Sequence, residues 1–155
     1  MKSTKYFAVL LIVAGGFFAG CKPDPEPEPT PEEIRTGQLA GTSSKGWVLT
    51  SSTLDGDDRS TDWADFELTV TTSKGYSTTT SFDDNVWPSA GTWDYQGTTG
   101  SGLDVMVRSD GISMNIDNIS ESNLTLSFDY LLSKPQKSGR VESIEGNWIF
   151  KMVAK

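Results

Sequence analysis

The sequence predicts an all-β protein, an eight-stranded up-and-down antiparallel barrel that follows a signal peptide and a spacer. Three observations predict it: apolar and polar residues alternate with a period of two along about eight short segments, turn residues separate most of these segments, and no segment of ten or more residues has helical periodicity. A meander of this size removes its exposed edges by closing its last strand onto its first. A barrel is therefore favoured over a sandwich of two sheets.

The alternation assigns an inward face to each strand in turn. The only helical candidate before the strands is a short turn around Gly37 to Thr42. The predicted inward residues are Trp47 in the first strand, Phe66, Leu68 and Val70 in the next, then Tyr76, Thr78, Thr80 and Phe82 after the turn at 73–75, and Trp93 with Tyr95. Near the C-terminus they are Leu124, Leu126, Phe128, Tyr130, Trp148, Phe150 and Met152.

The pair Asp110-Gly111 predicts a hairpin with a two-residue loop, because a type I′ turn needs a positive φ at both positions. In that register Ser109 lies opposite Ile112. The prediction then places four apolar residues on one buried face: Val105, Val107, Met114 and Ile116.

The N-terminus has the layout of a secretory signal peptide. Lys2 and Lys5 precede an apolar run over Tyr6 to Phe18, which is too short to span a bilayer comfortably. The only cysteine of the chain follows in Phe18-Ala19-Gly20-Cys21, a sequence that resembles a lipobox. This resemblance implies that residues 1–20 are removed and that Cys21 carries acyl chains, which tether the protein to a membrane.

Residues 21–36 are predicted to be an acidic, proline-rich spacer, and residues 37–155 the barrel domain. Alternating proline and carboxylate residues cannot build a core and favour extended polyproline II. The segment is similar to the acidic stretch that directs lipoproteins of Bacteroides-like bacteria to the outer face of the outer membrane. The alternatives are a solvated tether without an address and a position on the periplasmic face.

Charge and composition exclude several functions. The chain has 13 basic and 21 acidic residues, and loss of Lys2 and Lys5 changes its net charge from −8 to −10. Such a charge repels phosphate backbones, so no nucleic-acid partner is expected. Because the chain has no histidine and its one cysteine is assigned to lipid, histidine-dependent triads, thiol catalysis and histidine or thiolate metal sites are excluded. We expect no enzyme activity and no cofactor.

Two polar segments could hold a ligand. The acidic stretch from Asp55 to Asp65 offers oxygen atoms to calcium, but it lacks the EF-hand glycine and glutamate, so a solvated hairpin turn is favoured. Trp63 and Trp87 both lie in polar loop sequence beside carboxylates. They are candidate contacts for a glycan or a protein, and capping one end of the barrel is the alternative role.

Several segments together resemble the lipocalin-like lipoproteins of Bacteroidetes. They are Lys45-Gly46-Trp47-Val48-Leu49 with Asp55-Gly56, the run from Val86 to Trp93, Arg108-Ser109-Asp110-Gly111, the run from Ile116 to Ser127, and Gly139-Arg140-Val141 with the run from Glu145 to Phe150. The resemblance implies an eight-stranded lipocalin-like barrel and export as a lipoprotein. It implies no reaction, since this family has no established common activity.

The leading functional hypothesis is a membrane-anchored, non-enzymatic binding lipoprotein for a small apolar ligand or a glycan fragment. One alternative is an accessory subunit that docks onto an outer-membrane protein assembly, and another is an enzyme inhibitor. A large internal cavity would favour the small ligand. A filled interior with exposed apolar surface would favour a protein partner.

Overall fold

The computed structural model describes residues 27–79, 82–131 and 144–155. The signal peptide, Cys21 and most of the spacer lie outside these ranges. The described residues form one α-helix, nine strands and a short 3-10 helix at Gly100–Asp104. The helix, α1, spans Pro31–Ala40, and the strands are β1 (Ser44–Leu54), β2 (Asp57–Asp58), β3 (Glu67–Thr71), β4 (Gly75–Thr78), β5 (Ala90–Tyr95), β6 (Val105–Arg108), β7 (Ser113–Ile119), β8 (Asn123–Tyr130) and β9 (Gly146–Ala154).

Eight of these strands form a closed antiparallel barrel. From β3 to β9 each strand pairs with the next, and the long strand β1 closes the sheet by pairing with β3 on one side and β9 on the other. Strand β2 is a two-residue extension that pairs only with the end of β1. The predicted fold class, an all-β meander closed into an eight-stranded barrel, is confirmed.

The inward faces agree with the predicted alternation in most strands. The side chains assigned to the core in β1, β3, β5, β8 and β9 are buried, including Trp47, Trp93 and Trp148. The predicted strand β4 was too long, because the strand ends at Thr78 and Phe82 is 43% exposed. Thr80 lies outside the described residues.

The inward and outward faces of strand β6 are exchanged relative to the prediction. Met106 pairs with Met114 and Val107 with Ser113, so the register differs by one residue from the predicted one. The cause is the hairpin loop, which has three residues rather than two: Arg108 N–H donates to the Ile112 carbonyl, Gly111 N–H donates to the Arg108 carbonyl, and Gly111 has a φ of 90°. This is the pattern of a type I turn followed by a glycine bulge.

A slip of one residue moves every side chain of a strand to the opposite face. Met106 and Arg108 therefore lie inside the barrel, while Val105 and Val107 lie half-buried on its outer face. On β7, Met114 and Ile116 are buried as predicted.

Helix α1 also differs from the prediction, which had only a short turn around Gly37 to Thr42. The helix begins at Pro31 and so includes residues that the sequence analysis assigned to the spacer. Thr30 and Glu33 form a capping box, with each side chain accepting the other residue's backbone N–H, at 3.2 Å and 2.7 Å. The helix therefore begins at a site fixed by two reciprocal hydrogen bonds and by a proline in its first turn. Its amphipathic pattern is weak and would not predict a helix by itself.

Candidate functional site

The barrel has two differently built ends. We call the first the helix end; it comprises α1 and the connections at 41–43, 72–74, 96–104 and 120–122. We call the second the aromatic end; it comprises the connections at 55–66, 82–89 and 109–112. Antiparallel strands alternate in direction, so connections that alternate along the chain meet at the same end.

The two tryptophans singled out by the sequence both lie at the aromatic end, and both are buried. Trp63 is 1% exposed and Trp87 is 0% exposed. Neither ring presents a face to solvent, so neither is placed to stack on a glycan. Of the two roles considered for them, their positions are those of side chains that cap one end of the barrel.

Both indoles pack against aromatic side chains that point into the barrel. Trp63 contacts Trp148 and Phe150 with ring centroids 5.7 Å and 5.2 Å apart, and Trp87 contacts Phe128 and Phe150 at 5.9 Å and 5.7 Å. Phe150 lies at the centre of this cluster, which we call the aromatic core. Its members are Trp63, Phe66, Trp87, Phe128, Trp148 and Phe150, all at most 1% exposed. Aromatic side chains therefore occupy this half of the interior.

Arg108 is buried beside the aromatic core, a position that the predicted hairpin register did not give it. Its guanidinium lies 5.0 Å from the Trp87 ring centroid and donates a 2.8 Å bond to the Val86 carbonyl. Nε and a terminal nitrogen both donate to the Asp110 carboxylate. The buried cation is thereby paired with a carboxylate and makes three hydrogen bonds, which join the Trp87 loop to the β6–β7 hairpin.

The same contacts act on Asp110. Partial burial alone would raise the pKa of this carboxyl, but the hydrogen bonds and the positive charge of Arg108 outweigh it, and the pKa is lowered. The sequence contains a signal for the pairing of Arg108 with Asp110, because an arginine immediately before a Ser-Asp-Gly turn can reach the aspartate of that turn. The hairpin register decided which face it occupied.

At the helix end, α1 is held mainly by polar contacts. Trp47 Nε1 donates to the Leu39 carbonyl at 2.9 Å, and Lys45 Nζ donates to the Gln38 carbonyl at 3.1 Å. Ion pairs join the helix to the connections around it, Arg35 with Asp104 at 2.5 Å and Lys74 with Glu32 at 2.8 Å. Within α1, Leu39 and Ala40 are the buried residues.

Surface grooves border α1. One, of about 560 Å³, lies on the outer face of β6 and β7; we call it the β6–β7 groove. A second, of about 480 Å³, lies between α1 and the β3–β4 turn, and a third, of about 370 Å³, lies between α1 and the 3-10 helix. All three are open to solvent, so the helix end offers concave surface outside the barrel.

The acidic stretch from Asp55 to Asp65 forms a solvated hairpin turn at its start, as favoured above. Asp55 and Gly56 both have positive φ, 49° and 92°, which is the type I′ geometry. Asp58 accepts bonds from Ser60 and Asp62 pairs with Arg59. Within the part of the chain that the structure describes, no group of three or more acidic, histidine or cysteine side chains is arranged to bind a metal ion.

Comparison of the chain with protein-family models and with curated proteins finds no match in either case. None of the described helices combines the length and the apolar character that crossing a bilayer requires. Fold and surface together define a closed eight-stranded antiparallel barrel of lipocalin-like architecture, capped at one end by tryptophans and bordered at the other by open grooves.

Proposed function

We propose that this protein is a lipid-anchored, non-enzymatic binding module that holds its ligand on the outer surface of the barrel, at the helix end. The observation that supports an outer site is the filling of the interior by the aromatic core and the buried Arg108. Large aromatic side chains occupy the space that a hollow eight-stranded barrel would give to an apolar ligand. A glycan fragment bound in a surface groove is therefore favoured over a small apolar molecule inside.

The anchor is part of this proposal and rests on the sequence alone. Cys21 is the acylated residue, and the acidic spacer after it holds the barrel at the cell exterior on the outer membrane. From Cys21 to Thr30 the chain spans at most about 32 Å, the reach of nine residues at full extension. Because α1 begins directly after Thr30, the tether joins the barrel at its helix end.

The proposal is tested with the full chain expressed in its native host. Mass spectrometry of the mature N-terminus is expected to show a diacylglyceryl-modified Cys21, and Cys21→Ser is expected to leave the membrane fraction. A pull-down from native membranes, with and without added glycans, is expected to capture a partner or to be competed by a glycan. An unmodified cysteine contradicts the anchor, and an empty pull-down that no glycan alters contradicts the binding function.

A second candidate is an accessory subunit that docks onto an outer-membrane protein assembly. The observation that favours it is Ile34, which is 52% exposed on α1 beside a groove lined by Pro31 and Leu103. Replacing Ile34 with arginine is expected to abolish capture of a protein partner and to leave glycan competition unchanged. Exposed apolar side chains at such a surface mark contact sites when they join into a patch.

A further inference from the structure

The β6–β7 groove has the size and the side chains of a small-ligand site. Its volume of about 560 Å³ lies in the range of small-molecule sites, roughly 300–1,000 Å³. Nine residues line it, of which six are polar and three are apolar. The polar residues, which we call the polar rim, include Arg35, Asp104, Asn115, Asp117 and Asn118. The apolar ones are Val105, Ile116 and Ile119, of which Val105 lies on the outer face.

A β-bulge in β7 extends the polar rim. The pairing of β7 with β8 shifts between Ile116 and Asn118, which leaves Asp117 as the extra residue. Side chains normally alternate between the two faces of a strand. Asn115 and Asp117 are exposed by this regular alternation, and the bulge adds the next residue, Asn118, to the same outer face. Bulges recur where a strand re-aims side chains toward a functional site.

Three side chains of the polar rim are available for a ligand. Within the described residues, no side-chain hydrogen bond or ion pair engages Asn115, Asp117 or Asn118. Each carboxamide offers two N–H donors and one carbonyl acceptor, and the carboxylate accepts only. Amides beside a carboxylate match the donor and acceptor pattern of neighbouring hydroxyl groups on a sugar ring.

The charge of the groove selects among sugars. Arg35 and Asp104 form an ion pair 2.5 Å apart, so their charges compensate each other. Asp117 is then the one uncompensated charge among the lining residues. An acidic sugar would place a second negative charge in the groove, whereas an amino sugar would place a positive charge near Asp117. The half-buried Val105, on the outer face of β6, offers apolar surface to the C–H face of a ring.

We propose that the β6–β7 groove binds a short oligosaccharide of neutral or amine-bearing sugars, through Asn115, Asp117 and Asn118. This inference deepens the proposed binding function and rests on it. It assigns the glycan to exposed side chains of β7, and not to the buried Trp63 and Trp87.

The experiment applies the full chain to an array of neutral, amine-bearing and carboxylate-bearing oligosaccharides, followed by calorimetry on the glycan that binds best. The double variant N115A/N118A is expected to weaken that binding at least tenfold, since it removes two or more hydrogen bonds. Asp117→Asn keeps the shape of the site and is expected to remove the preference for amine-bearing over neutral sugars.

Two matched variants serve as controls. Ser113→Ala changes an exposed residue on the same strand outside the groove, and Asn85→Ala removes an exposed carboxamide at the aromatic end. Both are expected to bind as the wild type does, and circular dichroism checks that every variant folds.

Three results overturn the inference: no glycan bound, a preference for acidic sugars, or binding that N115A/N118A leaves unchanged. A glycan that binds independently of the groove would refute this site and leave the binding function standing. An array without binding, together with an empty pull-down, would refute both.

Discussion

The two ends of the barrel are closed by different physical means. At the aromatic end, Trp63 and Trp87 fold back over the interior and pack on Phe150 through ring contacts of 5.2–5.7 Å. Burying a large apolar side chain contributes roughly 1.5–3 kcal/mol, and aromatic pairs add a further 0.5–1.5 kcal/mol or so. This end is continuous with the core of the barrel.

At the helix end, α1 buries only Leu39 and Ala40 and depends on ion pairs and capping bonds at partly exposed positions. Exposed ion pairs contribute little, typically about 0–1 kcal/mol each. Regions with few buried apolar contacts open locally at a lower free-energy cost than core strands do. We therefore expect the aromatic end to contribute more to the stability of the fold, and the helix end to open at a lower free-energy cost.

The largest effect is expected from truncating the aromatic end. Trp87→Ala removes a ring that is 0% exposed, and it should lower the free energy of unfolding by about 3–5 kcal/mol, as large-to-small core substitutions do. Urea unfolding followed by far-ultraviolet circular dichroism measures this. The matched change at the helix end is Ile34→Ala, at a side chain that is 52% exposed, with an expected effect within about 0.5 kcal/mol. Equal losses in the two variants would remove the distinction between the ends.

The second prediction concerns the buried ion pair at the aromatic end. The pKa of Asp110 is lowered in the folded state, so its ionised form is favoured by folding. The associated stability is complete above the ordinary pKa of about 3.9 and is lost as the pH falls through the lower, folded-state pKa. Asp110→Asn should cost about 1–3 kcal/mol at neutral pH, because Arg108 keeps its charge and loses its counter-ion.

The measurement is the free energy of unfolding as a function of pH below about 5. Relative to Asp110→Asn, the wild type should lose additional stability as the pH falls in this range. Asp84→Asn removes an exposed carboxyl group at the same end and controls for the loss of one negative charge. Parallel pH profiles for wild type and Asp110→Asn would show that the Arg108 pair does not stabilise the fold.

The sequence predicted the barrel because its evidence is local. The alternation in Phe66, Leu68 and Val70 fixes which side of β3 faces inward, and a meander needs no long-range information to choose its neighbours. It could not predict the face of β6. The pair Asp-Gly suits both a two-residue loop and a three-residue loop with a glycine bulge, and the two differ by one residue of register. That one residue decides whether Arg108 is outside or inside.

The candidate site was less predictable than the fold. Polar neighbours in the sequence suggested that Trp63 and Trp87 were accessible, but their loops fold back over the barrel, which is a tertiary contact that no local pattern records. The bulge at Asp117 likewise depends on pairing with β8. By contrast, the sequence itself contains the signal for the start of α1, since threonine followed three residues later by glutamate is typical of a helix N-terminus. The prolines and carboxylates around it are typical of a disordered spacer, and for this reason the helix was not predicted.

The smallest effect is expected at the start of α1, and it tests the comparison most directly. Thr30→Ala removes the side chain that accepts the Glu33 N–H, and loss of such a cap costs about 1 kcal/mol of helix stability. If the helix end opens independently of the barrel, this loss appears only in hydrogen exchange. The α1 amides should then exchange about fivefold faster at 25 °C, while the β9 amides and the urea midpoint stay unchanged. If the β9 amides accelerate equally, α1 unfolds only together with the barrel, and the helix end is no more adaptable than the aromatic end.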